Sequence, residues 1–355
     1  MICFSMVQTY DIQQTYQYNY DRGPVFARAP VPVPPGRMKE FLGLEVRSRL
    51  GISAGLLLNS KWVLGYAQRG FDILTYKTVR SSFRACYEPP NWVFVEDEGG
   101  DGPVYATDRL PSNPAQISSA VCFGMPSMAP QTWREDVRRA SAALPAGKIL
   151  IVSVVATPAE GATVRQVADD FAQCGAWAAE AGAHMVEANL SCPNVCTKEG
   201  SIYLDAQMSR TVATAIRKAI GKTPLLLKAG HFADPGKLRT FLKFVNGIAD
   251  GVAMVNALSR PVLHANGRPV FGDVFVKAGV LGRGIHQSCV ENLRHAADIV
   301  AGENLKLALV GVGGVSSDED VQRFFDAGAA AVLMGSSPMY MPDIAAGMKL
   351  RHPDW

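Results

Sequence analysis

The sequence lacks the features of a membrane protein, a disulfide scaffold or a nucleic-acid-binding protein. None of its apolar runs reaches the ~18 residues of a membrane-spanning helix. Its seven cysteines form no CxxC pair, so neither a disulfide framework nor a structural zinc site is expected. Charged residues make up only 19%, the formal net charge is +3, and no Lys/Arg block marks a nucleic-acid or acidic-membrane footprint. We therefore expect a cytoplasmic protein in a reducing setting, with small-molecule partners and with no nucleic-acid, membrane or metal partner.

Length and composition favour one large domain preceded by a short extension. The chain has 355 residues, of which 48% are hydrophobic, which is enough apolar material for a substantial core. The start is polar and leads into the proline-rich segment 28–37. We interpret residues 1–43 as an extended N-terminal arm or linker and residues 44–355 as the globular body.

Short apolar runs alternate with amphipathic segments along the body, at the spacing of βα units. This alternation favours an α/β fold, a (β/α)8 TIM barrel, over an open doubly wound sheet. We interpret a further apolar run at 116–128 as an excursion over the barrel mouth. The eight predicted barrel strands are 51–57, 72–79, 149–155, 184–190, 224–229, 251–257, 306–314 and 330–336.

Glycine-rich segments follow the last two predicted strands, where barrels commonly bind phosphate through backbone N–H groups. Gly313 and Gly314 belong to GVGGV, and Gly335 and Ser336 belong to MGSS. Glycine can also serve only to permit a tight turn, which is the alternative. Two such segments on adjacent final strands favour phosphate binding.

Two lysines end apolar strands, Lys77 in ILTYK and Lys228 in LLLK. A buried ammonium without a partner is costly, so a bound anion or an electron-rich ring is expected beside them. The alternative is a lysine that extends from the strand end into solvent.

The stretch NLSCPN places Cys192 in the loop after the fourth strand, with Asn189 and Asn194 on either side. An accessible thiolate can act as a base, and flanking amides can hold a planar substrate through paired donor and acceptor contacts. A buried, unreactive cysteine is the alternative. The stiff Pro193 and the two amides favour the catalytic interpretation.

Together, NLSCPNV, TYKT, KAG after the fifth strand, GVGGV and MGSS resemble the dihydroorotate dehydrogenase family, specifically its class 1 branch, over roughly residues 51–340. The resemblance implies an FMN-containing barrel of pyrimidine metabolism that oxidises a CH–CH group. It also implies a homodimer, because class 1 relatives are commonly dimers.

The resemblance assigns a role to each matching residue. Cys192 would be the base, and Lys77 and Lys228 would stabilise the negative charge of the reduced flavin. Segment 195–203 would be an active-site lid. The other implied contacts are Ser53, Ala54 and Asn256 with the flavin, Gly313, Gly314, Gly335 and Ser336 with its phosphate, and Asn189, Asn194, Gly124 and Met125 with the substrate.

Two positions depart from the amide set that holds the substrate in the family. Val121 and Ser259 stand where relatives carry Asn, and Arg260 stands where relatives carry Ser. Two lost contacts of ~1–2 kcal/mol each predict dihydroorotate binding about 30- to 1,000-fold weaker. Arg260 is a candidate new anchor for a substrate carboxylate, and a solvated loop arginine is the alternative.

Several functions stay open at this point. The first is an FMN-dependent oxidoreductase acting on a dihydroorotate-like cyclic amide or another carbonyl-activated C–C bond. The others are a flavin ene-reductase or desaturase of a specialised pathway, a non-catalytic flavin-binding subunit, and a phosphate-sugar barrel enzyme without flavin. The sequence has no iron–sulfur cysteine cluster and no Rossmann fingerprint, so the electron acceptor would be a soluble molecule or a partner chain.

Overall fold

The computed structural model describes residues 8–34, 36–191 and 201–355. No helix in these ranges is long and apolar enough to span a bilayer. In chain order the elements are α1 (Tyr16–Arg22), β1 (Lys39–Phe41), β2 (Leu44–Val46), β3 (Leu50–Leu57), α2 (Ser60–Ala67), β4 (Ile73–Val79), β5 (Trp92–Glu96), β6 (Val104–Ala106), β7 (Ser118–Val121), α3 (Pro130–Ala143), β8 (Ile149–Val154), α4 (Val164–Glu180), β9 (Met185–Asn189), α5 (Ala206–Ile220), β10 (Leu225–Lys228), α6 (Pro235–Val245), β11 (Gly251–Met254), β12 (Leu258–Leu263), β13 (Lys277–Gly282), α7 (His286–Gly302), β14 (Ala308–Val312), α8 (Asp318–Asp326), β15 (Ala331–Met334), α9 (Ser337–Tyr340) and α10 (Ile344–Arg351).

Eight parallel strands close into a barrel in the order β3, β4, β8, β9, β10, β11, β14, β15. Each overlaps one of the eight runs predicted as strands, so the predicted TIM barrel is confirmed. Inward-facing side chains such as Ile73, Ile151, Met185 and Leu226 form a separate apolar cluster inside the barrel. This packed interior leaves the carboxyl ends of the strands as the place where polar groups can gather.

A second sheet of five strands, in the order β12, β13, β7, β5, β6, also closes on itself, because β12 pairs with β6. Its strands come from two insertions, one between β4 and β8 and the other between β11 and β14. The predicted excursion at 116–128 contains β7, which confirms a strand outside the barrel. The strands β12 and β13 were not predicted from the sequence, because each also pairs with a segment far away in the chain, β12 with β6 and β13 with β7.

The N-terminal segment packs on the body. Thr15 caps α1 by accepting a hydrogen bond from the N–H of Tyr18. The indole N–H of Trp62 donates to the carbonyl of Asn19 at 3.2 Å, and Tyr16 is buried. An extended conformation is therefore wrong for Tyr16–Arg22. The division at residue 43 stays a prediction, and β1 pairs with β2 across it.

A buried ion pair in the second sheet joins Arg260 of β12 to Asp97, the residue after β5. The guanidinium of Arg260 lies 2.7 Å from the carboxylate of Asp97, and both side chains are at most 5% exposed. Arg260 also donates to the carbonyl of Gly102 at 2.7 Å. Both interpretations of Arg260 from the sequence, a carboxylate anchor for substrate and a solvated loop arginine, are therefore wrong. The charge of Arg260 is compensated by Asp97 within the protein.

Removing one partner of a buried ion pair leaves the other charge uncompensated, at a cost of about 3–5 kcal/mol. We expect Asp97→Ala to lower the free energy of unfolding by about this amount in urea denaturation followed by tryptophan fluorescence. Glu135→Ala is the control, because it removes an exposed pair with Arg139 and should change stability by less than about 0.5 kcal/mol. Equal stability of the two variants would contradict the structural role of the buried pair.

Candidate functional site

A cavity lies between the carboxyl ends of the barrel strands and the second sheet. It encloses about 1160 Å³ when its open mouth is included. From the second sheet, Trp92, Val121 and Leu281 line it. Its location is that of barrel active sites.

Most of the residues predicted to form the site line this cavity, but their roles stay predictions. Gly124, Lys228 and Ser259 are not part of the lining. Cys192 and Asn194 lie outside the described residues, as does segment 195–200 of the predicted lid. The lining residues are Ser53, Ala54, Lys77, Met125, Asn189, Asn256, Gly313, Gly314, Gly335 and Ser336.

One end of the cavity is a tight backbone cradle. Gly313 and Gly314 have φ angles of 133° and 64°, and a Cβ on Gly314 would lie 2.6 Å from the carbonyl oxygen of Gly282. A Cβ on Gly313 would overlap the sulfur of Cys289. Both positions therefore require glycine, which allows a ligand to approach the backbone closely. The short helix α9 begins directly after Ser336, as in barrel sites that bind phosphate.

Arg283 borders the same end of the cavity and was missed from the sequence. Its guanidinium lies 2.6 Å from the buried carboxylate of Asp320. His286 lies 3.2 Å from the same carboxylate, and its other ring nitrogen is 3.0 Å from the carbonyl oxygen of Gly313. Burial opposes ionisation of Asp320, but His286 and Arg283 outweigh it and lower the pKa of the carboxyl. No signal identified Arg283, because the strand β13 that precedes it was not predicted.

The amides of Asn189 and Asn256 form a connected polar group in the cavity wall. The amide nitrogen of Asn256 lies 3.3 Å from the side-chain oxygen of Asn189 and also donates to the carbonyl of Ser191. The amide nitrogen of Asn189 is 3.4 Å from the hydroxyl of Thr78. These contacts orient both amides before a ligand arrives, which suits recognition of a planar ring.

Lys77 is held between aromatic rings from two distant segments. Its Nζ lies 4.8 Å from the ring centre of Phe123 and 5.4 Å from that of Tyr16. Burial raises the pKa of Tyr16 well above its usual value, so the ring stays a neutral phenol that attracts the cation through its face. The helix α1 therefore contributes to the site, although the sequence showed no chemistry in this segment.

Lys228 ends β10 and is 1% exposed. It pairs in register with Asn189 on one side and with Ala253 on the other. Lys77 is also buried, at 8% exposure. The alternative of two lysines extending into solvent is therefore wrong.

The two positions that depart from the family's amide set lie in one row across the second sheet. Ser259 is opposite Gly279, Gly279 is opposite Val121, and Val121 is opposite Trp92. Residues directly opposite each other share a face of the sheet, but within this row only Val121 and Trp92 line the cavity wall. Ser259 is exposed at the end of the row. This wall offers a ligand apolar surface and no amide.

Comparison with known proteins gives a consistent family match. A family model described as dihydroorotate dehydrogenase matches residues 123–348. A protein of Dictyostelium discoideum named dihydroorotate dehydrogenase is 31% identical over 355 residues, which covers 95% of both chains. The catalytic subunit of dihydroorotate dehydrogenase B (NAD(+)) of Solidesulfovibrio magneticus is 31% identical over 52% of this chain and 59% of its own.

A solved structure has the same fold. The crystal structure of DHODH from Eimeria tenella in complex with ferulenol superposes with a TM-score of 0.73 at 16% identity. The superposition covers 95% of this chain and 89% of the other. At this identity the likeness shows the fold alone.

The ring of Tyr16 gives a prediction for ligand binding. A cation–π contact is worth about 0.5–2 kcal/mol, so Tyr16→Leu should displace Lys77 and weaken FMN binding to the apoprotein about 2- to 30-fold. Tyr16→Phe keeps the ring and should bind FMN as the wild type does. Quenching of FMN fluorescence measures both dissociation constants. If the leucine and phenylalanine variants bind FMN equally well, the ring does not position Lys77.

Proposed function

Because the chain belongs to the dihydroorotate dehydrogenase family, FMN-dependent oxidoreductases that act on CH–CH groups, we propose that it oxidises a dihydroorotate-like cyclic amide or another carbonyl-activated C–C bond, with Cys192 as the base. One observation carries the proposal. A single cavity joins a glycine cradle suited to phosphate with a wall that presents Lys77 and an amide pair. This is the combination that a flavin nucleotide and a planar substrate require together.

The residues of the cavity fit FMN. The cradle of Gly313 and Gly314 has no side chain to keep a phosphate from the backbone N–H groups. Ser53 and Ala54, in the middle of β3, line the cavity and would adjoin the ring. Lys77 lies in the wall and Lys228 in the barrel interior beneath it, where a cation stabilises the charge of a reduced ring. A bound FMN would supply the hydride acceptor.

The chain's own residues supply the proton transfer and the substrate contacts in this proposal. The sulfur of Cys192 takes the proton from one carbon of the substrate while the hydride leaves the neighbouring carbon, so a C=C bond forms. The residue before it, Ser191, is buried, and its carbonyl accepts a hydrogen bond from the amide of Asn256. This bond fixes the start of the loop that carries Cys192. Asn189 and Asn194 hold the substrate ring.

An alternative to this proposal is that the substrate is a molecule other than dihydroorotate. The apolar row that contains Val121 and Trp92 favours a ring with fewer polar groups on that side. The non-pyrimidine substrate of an ene-reductase or desaturase would fit against this apolar wall. A non-catalytic flavin-binding subunit does not require the base Cys192 that the sequence retains.

The other expectations from the sequence stay proposals. A homodimer, a cytoplasmic location and an electron acceptor that is a soluble molecule or a partner chain are consistent with the resemblance. Sedimentation of the full chain tests the first of these, since a monomer at micromolar concentration would contradict the dimer.

Cys192→Ala tests the proposed base. Dihydroorotate added anaerobically should bleach the flavin absorption of the wild-type protein, and the variant should bleach about 10²- to 10⁴-fold more slowly because it lacks a group to take the proton. Dithionite should reduce both proteins, which shows that the flavin in the variant is intact. Equal bleaching rates with dihydroorotate would contradict the role of Cys192, and a wild-type protein that dihydroorotate does not bleach would exclude it as substrate.

Restoring the amide at the position that lines the cavity tests the substrate preference. The variant Val121→Asn should bind dihydroorotate about 5- to 30-fold more tightly than the wild type, because the amide returns ~1–2 kcal/mol. Val121→Thr is the matched control, since threonine has the shape of valine and no amide. Spectral titration of the bound flavin gives the dissociation constants. An unchanged constant in Val121→Asn would show that this position does not face the substrate.

A further inference from the structure

Glu187 is a buried acidic residue that none of the roles above uses. It lies on β9, two residues before Asn189, and is 0% exposed. Neither of its carboxyl oxygens has a hydrogen-bond partner among the described residues. Burying a carboxylate costs free energy unless a nearby positive charge compensates it. The strand register identifies the basic side chain nearest to Glu187 along the barrel wall.

Glu187 points into the barrel. It is opposite Ser153 on β8 and opposite Leu226 on β10. Met185 and Leu226 belong to the apolar cluster inside the barrel, and alternate residues of a strand share a face. Glu187 therefore stands one level above this cluster, and Asn189 stands one level higher at the cavity.

Lys228 is the basic residue on the adjacent strand. It follows Leu226 by two residues, so its side chain shares the inward face, and it is 1% exposed. One step across the sheet and two along the strand separate Glu187 and Lys228 by roughly 8 Å between Cα atoms. Within the described ranges, no carboxylate forms a salt bridge with Lys228. With the two Cα atoms at this distance, the carboxylate of one side chain and the ammonium of the other attract each other in the barrel interior.

Other inward-facing groups on the neighbouring strands fit the carboxyl less well. The hydroxyl of Ser153 is 3.0 Å from that of Thr78. Lys77 is two strands away on β4 and already has two aromatic rings beside it. Thr75, also on β4, is buried and carries no charge. Lys228 is thus the cation next to Glu187.

We propose that Glu187 is a positioning residue for the redox step, as the counter-charge of Lys228 that sets how much positive charge this lysine presents to the flavin site. The inference rests on the proposed function, because Lys228 acts on a reduced ring only if FMN binds. The carboxylate offsets part of the positive charge of the ammonium inside the barrel. It also limits the gain in electron affinity that a lone buried cation would give to the ring.

The first test uses sulfite, an anion that adds reversibly to the flavin ring and leaves negative charge on it. Glu187→Gln keeps the shape and removes the charge, so the FMN-loaded variant should bind sulfite of the order of tenfold more tightly, because the positive charge of Lys228 is no longer offset by a buried carboxylate. The reduction potential of the variant should rise as well. Thr75→Val is the matched control. It changes a buried, inward-facing residue on β4, and because valine has nearly the size of threonine, neither volume nor charge changes. A sulfite dissociation constant equal to those of the control and the wild type would overturn the proposal.

The second test does not depend on FMN. In the apoprotein, Lys228→Gln and Glu187→Gln should each lower the urea midpoint, because each leaves one buried charge alone. The double variant should be more stable than the sum of the two single losses predicts, and it should fold even if a single variant does not. Strictly additive losses would overturn the pairing. If FMN does not bind but the losses are non-additive, the charge pair stands and the proposed function fails.

Discussion

The two buried lysines near the barrel mouth are the constraint around which the site is organised. A buried ammonium requires compensation, and each lysine obtains it differently. Lys77 lies against the rings of Tyr16 and Phe123, whereas Lys228 shares the barrel interior with Glu187. Both lysines lie at or beneath the cavity wall, where a cation can stabilise a ligand that becomes negative during its reaction.

Segments far from the barrel strands complete this arrangement. The helix α1 provides Tyr16, and the second sheet provides the opposite wall through Trp92 and Val121. The buried pair of Arg260 with Asp97 fixes the sheet that carries this wall. The barrel thus supplies the charges and the phosphate cradle, while the added segments determine which ring can lie against them.

The sequence predicted what depends on local pattern. The barrel strands have buried apolar runs bounded by turn residues, and glycine at 313 and 314 is required by backbone conformation, so both were identifiable. The course of α1, the strands β12 and β13 and the pairing of Arg260 depend on partners distant in the chain. No periodicity within a short window contains that information. Arg260 was misassigned for this reason, since a lone arginine near a strand end does not reveal its partner Asp97.

This cavity should hold FMN and stabilise its negatively charged reduced form. Titration of the apoprotein with FMN under anaerobic conditions, followed by reduction with dithionite, measures both properties in the absorption spectrum. We expect saturation at one FMN per chain and the spectrum of an anionic reduced flavin. An apoprotein that retains no FMN, or a bound flavin whose reduced form is neutral, would show that the cavity does not serve this purpose.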